Sequence, residues 1–151
     1  MGVKFDVETR RFEKFINNYT KGIRKERVPD ALKSITLDVV GRVIEKNPVD
    51  LGRSRAGWYA YLDDNMVPVP AGGNPEAVAD GRSKGSYVEK FDISTPFIEI
   101  RNAVNYTIYL EYGHSAQAPL GMVRLSMREV ANNVTKRFLE EMKKESLTLN
   151  R

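Results

Sequence analysis

The sequence predicts an α+β fold, in which a small, mostly antiparallel sheet packs against N-terminal and C-terminal helices around a long central loop. Three observations predict it. Apolar residues recur every three or four positions near both ends of the chain, which is the mark of helices with one buried face. A segment of strict alternation, PFIEIRN, lies between them and reads as a strand. The centre carries clustered prolines and glycines, which interrupt regular structure. At 151 residues the chain is expected to be a single domain with a core of its own.

Taken in order, Phe12, Phe15, Ile16, Tyr19 and Ile23 share one helical stripe within residues 8–26. Pro29 cannot donate to a helix ladder, and it moves Val28 away from helical geometry. Residues 1–27 therefore read as a basic amphipathic helix and 28–46 as a second helix, with one long kinked helix as the alternative. Pro29 suits the first turn of the second helix, and Asp30 favours its positive end. Its stripe is Leu32, Ile35, Val39 and Val43, widened by Val40 and Ile44. Asn47-Pro48 ends it.

Residues 47–120 are expected to hold the strands, the loop and a short helix. Ser54 to Leu62, SRAGWYAYL, is aromatic-rich and reads as a strand. On a strand, Arg53 and Arg55 would share one side and Trp58 would take the other. Residues 63–75 hold three of the seven prolines and read as a long loop. Residues 76–90 carry a short helix pattern weakened by Gly81 and Gly85. Two strands cannot close a core alone, so a further one is expected from residues 1–7, from 85–93 or from a neighbouring subunit. NYTIYLEY, at 105–112, reads as a short helix with Tyr106, Tyr109 and Leu110 on one face, and Gly113 fits its C-cap. Residues 121–145 form the last helix through Met122, Leu125, Val130, Val134 and Phe138, with Met127 and Met142 nearby. Lys143 and Lys144 suit its C-terminal end, and residues 146–151 are expected to fray.

Charge is distributed unevenly. The formal net charge is +4, from 24 basic and 20 acidic residues. Residues 1–27 hold eight of the bases and four of the acids, so the whole excess lies there. Arg10, Arg11, Lys14, Lys21, Arg24 and Lys25 could meet DNA phosphates. With acids interspersed and no reading motif beside them, they read more readily as a solvated helix face.

Several chemistries are excluded or unsupported. With no cysteine, the chain has no disulfide, thiolate nucleophile or Cys-type zinc site, and a reducing compartment suits it. With one histidine, a two-histidine metal site cannot form within one chain. The opening MGVKFDVETRRFEKF has no apolar core of a secretory signal, and no stretch approaches the ~18 apolar residues of a membrane span. His114 beside Ser115, with Glu111 nearby, is the one nucleophile-like cluster. Triads are assembled from distant segments and no G-x-S-x-G elbow is present, so His114 reads as a turn residue. The acid pairs Asp63-Asp64 and Glu140-Glu141 point their members in different directions. AGGNP lacks the lysine and spacing of a phosphate loop. No enzyme activity, metal or cofactor is expected.

Two stretches are denser than a core requires. Asn47 to Trp58 packs an acid, two arginines, two glycines and the single tryptophan into twelve residues. Asn102 to Arg124 joins an aromatic helix to a polar turn. Aromatic residues and arginines together are typical of protein interfaces, although Trp58, Tyr106 and Tyr109 fit a core equally well. Asp50 or Glu111 could pair with Arg53 or Arg55.

The ordered pattern N-P-V-D-x-G-R-x-R-x-x-W … R-N-x-V-x-Y-x-x-Y-L-E-Y-G-H-S-x-Q-A-P-x-G-M-V-R resembles a family of tailed-bacteriophage virion proteins. These are the head–tail joining or tail-completion proteins, also described as minor tail or neck proteins. Pro48, Val49, Asp50, Gly52, Arg53 and Arg55 match the family's P-V-D-T-G-R-L-R element. Asn102, Tyr106, Leu110, Glu111 and Gly113 match its N-x-x-x-Y-A-x-x-L-E-x-G element. Gln117, Ala118, Pro119, Gly121, Met122 and Val123 match the ending of one subgroup. The likeness covers about residues 30–145. It departs at Thr107, where alanine is common, and at Leu51, where the element has threonine.

The resemblance implies a structural virion protein, made in the host cytoplasm, that completes the head-proximal end of the tail or the neck. It implies a ring of copies, a hexamer in the family, that touches tail-tube or neck proteins and meets DNA only in passing. No membrane partner is implied. The residues expected to form its interface or determine its fold are Asp50, Gly52, Arg53, Arg55, Trp58, Tyr106, Tyr109, Glu111, Gly113, His114, Gln117, Pro119, Gly121 and Met122.

Overall fold

A central helix with two apolar faces organises the molecule. The computed structural model describes residues 10–23, 25–92 and 94–149, with side chains through residue 136. Helix α1 (Arg10–Lys21) ends at Gly22, and one 3₁₀ turn (Lys25–Arg27) leads into α2 (Val28–Lys46). The stripe of α2 is too wide for one neighbour, and it is buried on two sides. Ile35, Val39 and Val43 pack with Ala118, Met122 and Val130, against which Phe12, Ile16 and Tyr19 of α1 also lie. Val40 and Ile44 pack with Ala56, Tyr59 and Leu62 on the other side, where Ile100 and Val78 close the cluster.

The α+β expectation holds, and the helical share is larger than the sequence reading gave. Among the described residues the sheet has two strands, β1 (Gly85–Lys90) and β2 (Phe97–Asn102), paired antiparallel with Gly85 opposite Asn102 and Lys90 opposite Phe97. Of the three sources considered for a further strand, residues 85–93 do supply one, β1, but among the described residues the sheet has two strands and not the three expected; residues 1–7 lie outside the described set. The strand expected at Ser54–Leu62 is helical instead. It forms α3 (Arg53–Ala56) and α4 (Tyr59–Asp64), joined through Gly57 and Trp58 with right-handed backbone. Ala56, Tyr59 and Leu62 join one buried apolar cluster, and their spacing of three is that of a helix face; Ser54 and Tyr61 are buried as well. The shared side for Arg53 and Arg55 that a strand would give does not exist.

The central loop is shorter than expected, because Asp63 and Asp64 belong to α4 and Pro75 opens α5 (Pro75–Ser83). Asn74 caps α5, its side chain accepting from the Ala77 N–H at 3.1 Å. Gly81 lies where α5 crosses α3, and a Cβ there would run into the Arg53 carbonyl. The glycine that weakens the helix pattern is therefore what lets the two helices touch. Tyr61 and Tyr87 meet edge to face at 4.9 Å. The Tyr61 hydroxyl donates to Glu89 at 2.8 Å and that of Tyr87 to Asp64 at 2.7 Å, tying β1 to α4. Burial, reinforced by the bond to Glu89, pushes the Tyr61 hydroxyl well above the usual phenol range.

The chain ends in α6 (Thr107–Glu111), a turn over 112–122, and α7 (Val123–Leu149). The frayed end expected for 146–151 is helical backbone as far as Leu149. Leu125 does not join the core stripe of α7. Among the described residues of α7, Ser126 and Val130 are fully buried, and Leu125 faces a surface groove with Tyr112 and Leu120. Phe138 and Met142 carry side chains outside the described set.

Candidate functional site

The two dense stretches are bonded to each other. Asn47, just past the end of α2, is buried, and its side-chain carbonyl accepts from the Ser54 hydroxyl and from the Trp58 indole N–H, both at 3.1 Å. Its amide N–H donates to the Pro48 carbonyl at 2.9 Å. Ser54 shares a 2.9 Å hydrogen bond with the Thr107 hydroxyl at the start of α6. From β2, the Asn102 amide donates to the Ser54 carbonyl at 2.8 Å, and its carbonyl accepts from the Val104 N–H at 3.0 Å. Asn102 lies so close over Gly57 that a Cβ there would collide with its side chain. Short elements are thus held by directional bonds in a buried setting, where an unmade bond is costly.

Thr107 is the position at which the chain departs from the resembled pattern. Its hydroxyl satisfies Ser54, so the departure has a partner in the same network. Of the side chains that make this network, Trp58 was among the expected site residues, whereas Asn47, Ser54, Asn102 and Thr107 were not. They are small and polar, and nothing in their spacing marks them as buried.

Glu111 forms a second lock. It is 1% exposed. Its carboxylate accepts from the backbone N–H groups of Met122, Val123 and Arg124 at 2.8, 2.7 and 3.0 Å. It also takes the Arg124 Nε at 2.9 Å, and Arg124 Nη2 returns to the Glu111 carbonyl at 2.8 Å. One buried carboxylate therefore satisfies three of the free donors at the start of α7, where the helix dipole favours negative charge. Two glycines make the approach feasible. Gly113 has φ +83° and Gly121 has φ +81°. A Cβ on Gly113 would stand 2.6 Å from the Pro119 carbonyl, and one on Gly121 would strike the Glu111 carbonyl. Gly113 follows the end of α6 in left-handed geometry, as its sequence position predicted.

Neither arginine pairs with Asp50 or Glu111. Arg53 Nε lies 2.8 Å from Asp80 of α5. Arg55 reaches the Ala71 carbonyl at 3.5 Å. Asp63 and Arg82 form an ion pair across the surface. The His114–Ser115–Glu111 cluster is not a triad, since the Glu111 carboxylate is fully taken up by α7. The His114 ring stands edge-on to Tyr109 at 5.9 Å and is exposed.

Asp50, Gly52, Arg53, Tyr106, His114 and Gln117 come together, with Pro48, Val49, Ser54, Leu110 and Ser115, around a cleft of about 230 Å³. Gln117 closes it by accepting from the Val49 N–H at 3.3 Å. Trp58, Glu111, Gly113, Gly121 and Met122 do not line the cleft, and Glu111, Gly121 and Met122 are buried. Arg55 and Pro119 lie outside the cleft, and Tyr109 is exposed at its edge beside His114. Pro119 belongs to a second groove of about 290 Å³, with Tyr112, Leu120, Arg124, Leu125 and Arg128. Arg124 stacks on the Tyr112 ring there at 4.6 Å.

Arg11, Lys14, Lys21 and Lys25 are exposed, as is Arg10, while Arg24 lies outside the described set. Among the described residues no group of three acidic or histidine side chains is placed to hold a metal ion. Among them, too, no helix is long and apolar enough to cross a membrane. Neither a protein-family model, nor a curated protein, nor a solved structure matches the chain.

Proposed function

We propose that the chain is a structural subunit of a tailed-phage virion that completes the head-proximal end of the tail or the neck, so that the tail joins the filled head. It acts through protein–protein contacts and catalyses no reaction. The observation that supports this reading is how the motif residues are used. Asn47, Ser54, Asn102, Thr107 and Glu111 are spent internally, fixing the loops of both motifs in one arrangement. What those loops then expose is aromatic and aliphatic. Tyr106, Tyr109, Tyr112, Val49, Leu51 and Leu120 all reach the surface around the cleft and the groove. Rigid presentation of aromatic and apolar side chains suits docking between subunits, because little ordering entropy is lost on binding. The subunit assembles with copies of itself into a ring and touches tail-tube or neck proteins in the virion.

Deletion of the gene from its phage, followed by electron microscopy of the lysate, tests the proposal. Filled heads lying apart from tails of finished length are the expected result. Normal infectious particles would refute it. His114→Ala should leave phage growth intact, and loss of growth by a variant that folds and assembles normally would point to chemistry at the cleft.

A second reading draws on α1, which packs Phe12, Ile16 and Tyr19 inward and leaves exposed bases outward. In this reading the helix touches nucleic acid. Binding to duplex DNA should then be measurable in low salt and fall steeply between 50 and 200 mM, as it does for a protein meeting about 6–10 phosphates. Absence of binding in low salt would remove this role.

A further inference from the structure

We propose that the Val49-Asp50-Leu51 loop of one molecule docks in the Tyr112–Leu120–Leu125 groove of a second copy of this chain. The inference rests on the assembly reading above and gives it a specific contact.

The loop carries an acid between two apolar side chains that face solvent. Val49 is 39% exposed and Leu51 48%. Asp50 is exposed, and among the described residues it has no ion-pair partner, since Arg53 is engaged by Asp80. The loop is nonetheless fixed. Val49 N–H is bonded to Gln117, the Leu51 carbonyl accepts from the Asn74 N–H at 2.9 Å, and the Pro48 carbonyl accepts from Asn47. A segment held this firmly loses little entropy on docking.

The groove is the complement of that loop. Its apolar lining includes Tyr112, Leu120 and Leu125, and Leu120 is 72% exposed at the tip of the turn. Its rim carries Arg124, already bound to Glu111, and Arg128, which is exposed and has no ion-pair partner among the described residues. A free anion between two apolar groups thus matches a free cation beside apolar lining. Both halves are carried by the same chain, so the occupant committed to is another copy. The cleft beside the loop and the groove share no lining residue. Repeated head to tail, the contact builds a closed ring or an open chain, whereas two copies that exchange it reciprocally stop at a two-fold dimer.

Sedimentation velocity over a concentration series tests this on the full chain and on Asp50→Lys and Leu120→Asp. Both positions are exposed, and circular dichroism with thermal melting checks that each variant keeps the fold. The wild type is expected to associate, and each variant alone to associate at least tenfold more weakly. The mixture is decisive. Asp50→Lys keeps an intact groove and Leu120→Asp an intact loop, so an equimolar mixture should form a dimer that grows no further. Association lost in Asp50→Arg and in Arg128→Asp should return when both changes are in one chain. A wild type that stays monomeric overturns the proposal, as does a mixture that forms no dimer. If the wild type associates and both variants do so equally well, the contact is wrong while the virion reading stands. If the contact holds but gene deletion leaves normal particles, the virion reading falls and the self-contact survives.

Discussion

The two sides of α2 and the lock beside them are built on different physics. Along α2 the core is apolar and forgiving, with Val40, Ile44, Tyr59 and Leu62 on one side and Val39, Val43, Met122 and Val130 on the other. The region where residues 47–58 meet 102–124 buries polar groups instead and satisfies them one by one. Burial of apolar area is non-directional and tolerates shape-conserving change. A buried hydrogen-bond network is tolerant of nothing that removes a partner. The comparison predicts that changes in the lock cost more per atom removed than changes in the core.

The largest effect should come from Glu111→Ala. It strands three backbone N–H groups and the Arg124 guanidinium around a fully buried position. Removing one partner of such a group costs about 3–5 kcal/mol. Chemical denaturation should show a large drop in midpoint, and Glu111→Gln should lose less because it keeps an acceptor. A Glu111→Ala variant within about 1 kcal/mol of wild type would break the comparison, since the carboxylate would then be dispensable.

Next come the glycines that admit this lock. Gly121→Ala and Gly113→Val each combine a positive φ with a Cβ set against a carbonyl. Together these should cost about 2–4 kcal/mol. Gly41 is the control, because a Cβ there meets nothing within 4 Å. In the middle of α2, Gly41→Ala should stabilise by about 0.5–1 kcal/mol. Thermal melts of the three variants would sharpen the contrast between a glycine that is required and one that is merely tolerated.

The same contrast explains what could be read from the sequence. Both long helices were legible, since α2 and α7 carry apolar periods over many turns. Strand β2 was legible from alternation, and Gly113 from its place after an aromatic turn. Helices α3 and α4 were not, because SRAGWYAYL is rich in residues that favour strands. Their helical period, Ala56–Tyr59–Leu62, spans only seven residues. Gly57, where the two helices meet, lies directly under Asn102, which comes from a segment some forty-five residues away. The candidate site was half legible. Asp50, Arg53, Tyr106, His114 and Gln117 do line one cleft. Arg53, however, is paired with Asp80, and nothing in the sequence announces that partner. Asn47, Ser54 and Thr107 become important only by being buried together, a property of the fold and not of any one segment.

A middle-sized effect separates the two regions most cleanly. Ser54→Ala and Thr107→Ala each leave a partner in the buried network and should cost about 1–2 kcal/mol. The double variant removes both hydroxyls of one bond. It should cost less than the two single effects added, by about 1 kcal/mol. Ile35→Val in the apolar core should cost about 0.5–1.5 kcal/mol and show no such coupling to either. Additive behaviour of Ser54 and Thr107 would mean that the bond contributes nothing beyond packing.

The smallest effect belongs to the polar seam between α2 and α7, where Glu129 accepts from Lys46 at 2.8 Å and from Arg42 at 3.0 Å. These groups keep a quarter to a third of their side-chain surface in solvent, so screening limits the gain to a few tenths of a kcal/mol and at most about 1. The bond from Lys46, joined by that from Arg42 and opposed by partial desolvation, holds the Glu129 carboxyl below its ordinary value of 4.5. Because the folded value lies below the unfolded one, the contribution is complete above about 4.5. It is lost as pH falls through the folded value. The stability difference between wild type and Glu129→Gln should therefore be constant near neutral pH and shrink toward pH 3. Raising the salt to 1 M should also shrink it, since the screening length then falls to about 3 Å. A difference that ignores both pH and salt would show that Glu129 joins the helices by packing of its stem, and the seam would then belong with the apolar core.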